Sequence, residues 1–217
     1  MLLNKGADVN GNEREPLRLA ISAGHRFIVE ALLKRKDVDV TSIVEGKTLL
    51  EKAALLGNWH IGRALIDKGV NVNLFCPENP LPALLIAIEN GNKEFVDVLL
   101  KNGANVNLAS PKYPSPLHLA VTKNRPDIVE SLLYFGAELY TLDEINRTPL
   151  EVAIYCAHIG NVKILFQHHN YDINGLRYEK PLLNIAVEVG NREMVEYLID
   201  KGANPNADEQ VPDRQTT

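Results

Sequence analysis

The sequence predicts an all-α fold built from a repeated two-helix unit, and three observations predict it. One alanine recurs as Ala20, Ala53, Ala87, Ala120, Ala153 and Ala186, at spacings of 33, 34, 33, 33 and 33. A leucine stands three residues before each (Leu17, Leu50, Leu84, Leu117, Leu150, Leu183) and another twelve after each (Leu32, Leu65, Leu99, Leu132, Leu165, Leu198). A small or turn-forming residue follows each alanine by four: Gly24, Gly57, Gly91, Asn124, Ala157 and Gly190. A period of this length, kept at three positions over six units, marks a repeat architecture.

Within a unit, a short segment such as Pro116-Leu117-His118-Leu119-Ala120-Val121 reads as the first helix. Proline suits its first turn, where no N–H is needed. After the breaker comes a second helix, as in Asp127-Ile128-Val129-Glu130-Ser131-Leu132-Leu133, with apolar residues at helical spacing. That helix requires a stop. Gly6, Gly69, Gly103, Gly136 and Gly202 supply a left-handed one, which glycine adopts without steric cost. In the two remaining units Asp37 and Asn170 stand one residue later, and the expectation is that they take the same left-handed role.

Ser115-Pro116-Leu117-His118-Leu119-Ala120 and Thr148-Pro149-Leu150-Glu151-Val152-Ala153 resemble the Thr-Pro-Leu-His-x-Ala signature of ankyrin repeats. Gly103-Ala104-Asn105-Val106-Asn107 and Gly6-Ala7-Asp8-Val9-Asn10 resemble the family's Gly-Ala-Asp-Val-Asn ending. The resemblance implies an all-α ankyrin-repeat solenoid: helix–loop–helix units stacked side by side, with β-hairpin fingers at one edge. Pro82-Ala83-Leu84-Leu85 and Pro181-Leu182-Leu183-Asn184 depart from the signature, and those units should stack with fewer polar ties.

The array is expected over residues 1–206: a partial unit at 1–10, then units at 11–41, 42–73, 74–107, 108–140, 141–174 and 175–206. Residues 207–217 form a polar tail with no apolar spacing, expected to be flexible. The partial first unit and the apolar last one suggest a chain excerpted from a longer array. The third finger carries Cys76, Pro77, Pro80 and Pro82, and is a candidate contact loop.

Little points to chemistry. The net charge of −5 sets nucleic-acid binders behind, since those usually carry a basic excess. Two cysteines build no disulfide framework and fit a reducing, cytoplasmic address. They fall two units apart, so both should be free thiols, with Cys156 a small packed residue in a helix. The longest apolar run, Ala83 to Ile88, is far short of the roughly 20 residues that span a bilayer. No phosphate-binding glycine loop, zinc-helix or nucleophile-elbow motif is present. The reading is therefore a non-enzyme without cofactor or metal. His118 stands where the family's histidine ties turn to helix, a structural role.

The family resemblance places variable contact positions six, eight and nine residues before the alanine and two or three after it. Six before stand Arg14, Lys47, Leu81, Pro114, Arg147 and Lys180, four of them basic on an acidic chain. Lys112, Tyr113, Arg177 and Tyr178 lie at adjacent tips, and Tyr155 is two after its alanine. Arginine and tyrosine are enriched at binding hot spots. The candidate partner-binding set is therefore Arg14, Lys47, Leu81, Lys112, Tyr113, Arg147, Tyr155, Arg177, Tyr178 and Lys180. It is read as serving a monomeric protein-interaction module in the cytoplasm, with a protein partner and neither nucleic acid nor membrane. The alternative is a recognition domain from a larger adaptor, an enzyme or a bacterial effector secreted into a host cytosol.

Overall fold

The computed structural model describes residues 15–41, 43–44, 46–76, 81–110, 113–174 and 180–206. The partial unit at 1–10 with its Gly6 stop, Pro77 and Pro80 of the third finger, and the tail at 207–217 lie outside the described residues. Two compact units divide the chain, Met1–Lys112 and Tyr113–Thr217, and each is described by itself.

In the first unit, three helix pairs follow one another: α1 (Glu15–Ser22) with α2 (Arg26–Leu33), α3 (Leu49–Leu55) with α4 (Trp59–Asp67), and α5 (Ala83–Glu89) with α6 (Lys93–Lys101). First helices pack on first helices (α1 on α3, α3 on α5) and second on second (α2 on α4, α4 on α6). The second unit repeats the scheme with α7 (Pro116–Thr122), α8 (Pro126–Tyr134), α9 (Pro149–Tyr155), α10 (Ile159–His168), α11 (Leu182–Val189) and α12 (Arg192–Asp200). The periodic alanines and leucines are the core of both units, and none is more than 5% exposed.

Each helix pair turns over at one left-handed residue, four after the periodic alanine. Gly24, Gly57, Gly91 and Gly190 take φ of 65–71°, and Asn124 (52°) and Ala157 (57°) are held in the same region. The backbone ladder explains why. The residue after each turn donates its N–H to the periodic alanine's carbonyl, as Asn58 does to Ala53 and His158 to Ala153. That closure needs positive φ whatever residue stands there.

The second helices stop as expected at Gly69, Gly103, Gly136 and Gly202, all at positive φ. Asp37 and Asn170 do not; neither is left-handed. After α2, the Lys68 ammonium donates to the Arg35 carbonyl at 2.5 Å, a cation serving a helix-end oxygen, while Asp37 pairs with Arg35 at 2.7 Å. After α10, His169 leaves in extended conformation (φ −145°, ψ 139°) and delivers Tyr171 to a buried position beside Phe166 and Tyr140.

The fingers are less regular than the helices. Among the described residues one carries a β-ladder, β1 (Ile43–Val44) antiparallel to β2 (Lys47–Thr48), with Ile43 opposite Thr48 and Val44 opposite Lys47. Side-chain amides bridge successive repeats instead. Asn73 donates to the Gly103 carbonyl (2.9 Å) and accepts from the Asn105 N–H (2.8 Å); Asn174 does the same with Gly202 and Asn204. Pro82 and Pro181 start their helices without a side-chain cap, whereas Thr48, Ser115 and Thr148 supply one; the Pro82 unit is still tied to its neighbour by Asn90 and Asn92, which donate to the Ala54 and Gly57 carbonyls.

Candidate partner-binding surface

The finger before α9 is built by one carboxylate. Asp143 accepts from the N–H groups of Ile145 (3.1 Å) and Arg147 (2.9 Å), and its own N–H donates to the Arg147 carbonyl (2.9 Å). Aspartate closes such turns on its own backbone. Asn146 sits at the tip with φ 61°, as Gly46 does at 66° in the finger of β1 and β2. Arg147 and Lys47 are thus the residues that follow a left-handed tip.

Three interactions hold Arg147 from different sides. Its guanidinium binds Asp143 at 2.8–2.9 Å. Its carbonyl accepts from His118 Nε2 at 3.0 Å, and its guanidinium carbon lies 5.5 Å from the centre of the Tyr155 ring. Burial pushes the Asp143 carboxyl up, but the hydrogen bonds from Arg147 and Ile145 outweigh it and keep the group below its ordinary value. His118 donates through Nε2, which leaves Nδ1 to accept from the Ser115 hydroxyl at 2.9 Å. Burial lowers its pKa further than the Arg147 carbonyl raises it, which favours the neutral ring. The expected structural role of His118 is met.

Thr148 then opens α9 with a capping box. Its hydroxyl accepts from the Glu151 N–H, and the Glu151 carboxylate accepts from the Thr148 N–H at 2.7 Å. Thr48 and Glu51 repeat this at α3, and Glu51 also accepts from the Cys76 N–H at 3.3 Å. Each box satisfies two N–H groups that would otherwise lack a partner at the start of the helix.

Around this frame lies a groove of about 320 Å³, lined by Ile145, Arg147, Tyr155, Lys180 and Ile185 among others. It brings together three residues of the candidate set: Arg147, Tyr155 and Lys180. Lys180 pairs with Glu188 at 2.7 Å. Tyr113 is half-buried in the same unit, and Lys47 and Leu81 are half-buried in the other. Arg14, Lys112, Arg177 and Tyr178 lie outside the described residues. The sequence reading missed Ile145, Leu142 and Val187, which are 63%, 53% and 59% exposed. For Ile145 the available signal was an apolar residue inside the polar finger Asp143-Glu144-Ile145-Asn146-Arg147.

Cys156 departs from expectation. It is exposed at the end of α9 rather than packed, because the chain reverses at Ala157, whereas Cys76 is buried; both are free thiols. His158 and Asn161 both donate to the Val121 carbonyl (2.9 and 3.1 Å), which ties adjacent repeats together. Among the described residues no group of three or more His, Cys, Asp or Glu could hold a metal ion, and no helix is long and apolar enough to cross a membrane.

The profile for ankyrin repeats (3 copies) matches this chain in overlapping windows, residues 1–76, 29–110, 63–143, 84–177 and 117–209. The chain belongs to the ankyrin repeat family. The solved human ASB11 ankyrin repeat domain is similar over 88% of this chain and 85% of its own, with a TM-score of 0.71 and 27% identity. A fowlpox virus ankyrin repeat protein, FPV014, is 35% identical over 122 residues, 56% of this chain and 28% of its own length. Mouse NF-kappa-B inhibitor alpha is 33% identical over 99 residues, 43% of this chain and 32% of its own. The chain thus spans less than a third of either curated relative. Ankyrin repeats are a generic protein–protein interaction module, and that broad class holds for this chain.

Proposed function

We propose that the chain is a non-enzymatic module that binds a partner protein through its finger tips and first-helix face, centred on Arg147, Tyr155 and Lys180. The observation that carries this reading is the Asp143-closed turn, which holds Arg147 against Tyr155 beside the exposed Ile145. A side chain already fixed before binding loses little entropy on association. Arginine and tyrosine beside an exposed apolar side chain, Ile145, have the make-up of an interface centre. Tyr113 extends the proposed surface within its unit, and Leu81 and Lys47 hold corresponding repeat positions in the other unit; Arg14, Lys112, Arg177 and Tyr178 are assigned to partner binding by position in the repeat alone. The partner-free chain is read as a monomer in the cytoplasm, in keeping with two free thiols.

The test is affinity capture with the tagged chain, followed by titration of the captured partner against Arg147→Ala/Tyr155→Ala. Loss of two hot-spot side chains should weaken binding by roughly a hundredfold, from about 1–2 kcal/mol each. Unchanged affinity would remove the proposal. A second reading, the recognition part of a longer adaptor or enzyme, is favoured by the length of the relatives, of which the matched stretch is 28% and 32%.

A further inference from the structure

A second surface lies in the first unit, on the opposite element of the repeat. Between α2 and α4 runs an open groove of about 590 Å³. Leu33 and Ala64 line it with apolar atoms, and Trp59 and His60 line it with rings stacked at 3.6 Å between centroids. Trp59 is the single tryptophan of the chain. It stands six residues after its periodic alanine, where the other units carry Arg26, Lys93, Pro126, Ile159 and Arg192. A half-exposed tryptophan there contributes nothing the repeat requires.

The charge of the groove is opposite to that of the protein. Its walls hold Arg26, Arg63, Lys34 and Lys68 against Glu30 and Asp67. Both carboxylates are already neutralised, Glu30 by Arg26 at 2.7 Å and Asp67 by Arg63 at 2.9 Å. Lys68 keeps its charge while donating to the Arg35 carbonyl, and Asp37 nearby is already paired with Arg35, so Lys34 and Lys68 leave a net positive groove on a chain of net charge −5. A positive cleft on an acidic surface attracts negative partners locally while the rest of the surface repels them.

We infer that this α2–α4 groove is a second docking site, which takes an acidic segment of a partner protein with its carboxylates on Lys34, Lys68 and Arg63 and an aliphatic side chain against Trp59. Tryptophan and arginine are both among the residues enriched at binding hot spots. The site is separate from the Arg147–Tyr155 surface, and neither reading rests on the other.

Trp59 reports on the site directly, because it is the only tryptophan. The probe is a synthetic peptide of Glu and Leu, titrated against the full chain with tryptophan emission as readout. Its counterpart has Gln in place of every Glu. The acidic peptide should shift the emission saturably, and the Gln peptide should not. Lys34→Glu/Arg63→Glu should weaken binding by roughly tenfold or more, since like charges now face each other. Arg147→Ala/Tyr155→Ala should leave it unchanged. If the charge-reversed chain has lost its helical circular dichroism, Lys34→Gln/Arg63→Gln is titrated in its place, with the same direction expected. Absence of a saturable shift would overturn the inference. So would equal binding of the Gln peptide, indifference to the Lys34 and Arg63 changes, or equal binding of a single-stranded oligonucleotide, which would mark a general polyanion surface.

Discussion

Gly62 offers a test of the packing between second helices. Helix propensity alone favours Gly62→Ala by about 1 kcal/mol in the middle of α4. The structure argues the other way. A Cβ added at Gly62 would lie 2.2 Å from Phe95 Cζ and 2.4 Å from Phe95 Cε2. Phe95 is fully buried on α6, so its ring must move by more than an ångström into occupied space. Overpacking of this kind costs about 1–3 kcal/mol, which outweighs the propensity gain and leaves a net loss near 1 kcal/mol. Gly160, near the start of α10, is the control: its added Cβ would meet Pro126 Cβ at an ordinary 4.0 Å. Gly160→Ala should therefore stabilise by about 0.5–1 kcal/mol. The assay is urea unfolding followed by circular dichroism and by Trp59 emission, since Trp59 lies in the same helix as Gly62. Adding Phe95→Leu should relieve the overlap, with a favourable coupling of about 1 kcal/mol in the double-mutant cycle. Equal stabilisation by both alanine substitutions would refute the reasoning.

Three further predictions concern single residues. Ala157 is held at φ 57°, so Ala157→Gly should raise stability by about 1 kcal/mol in the same unfolding assay; a loss would show that this turn carries no strain. Burial lowers the pKa of His118 in the folded chain, so the unfolded chain binds the proton first as pH falls. Its contribution is full above the ordinary value of 6.5 and is lost as pH falls from there through the folded value. Unfolding curves across that range should slope less in His118→Gln, and an unaltered slope would contradict the burial argument. A thiol reagent should label exposed Cys156 in the native chain and buried Cys76 only on unfolding, with mass spectrometry of the two peptides as the check.

The repeat made most of the fold legible. Every residue placed by the 33-residue spacing at a core position is buried, and the turn four after the alanine holds even where Asn124 and Ala157 replace glycine. Position in the repeat determines those features, so residue type is secondary. Asp37 and Asn170 show the limit. They were read by type, but distant contacts decide those helix ends: Lys68 on the Arg35 carbonyl, and burial of Tyr171. The site divides in the same way. Arg147 and Tyr155 were readable because each has a fixed offset from Ala153. Asp143 and Ile145 sit in a finger with no helical period, and their roles emerge from a turn closed by one carboxylate. Thr148 and Glu151 stand in the sequence only as part of the repeat signature, and it is their geometry that shows the capping box at the start of α9.

The central claim is that the finger and first-helix face meets the partner. Amide hydrogen exchange of the chain, with and without its captured partner, tests this most directly. The account predicts new protection at residues 143–147, where Asp143 closes the turn, and at 180–188, with the amides of α10 and α12 unchanged. Protection confined to the second helices, with residues 143–147 exchanging as in the free chain, would contradict it.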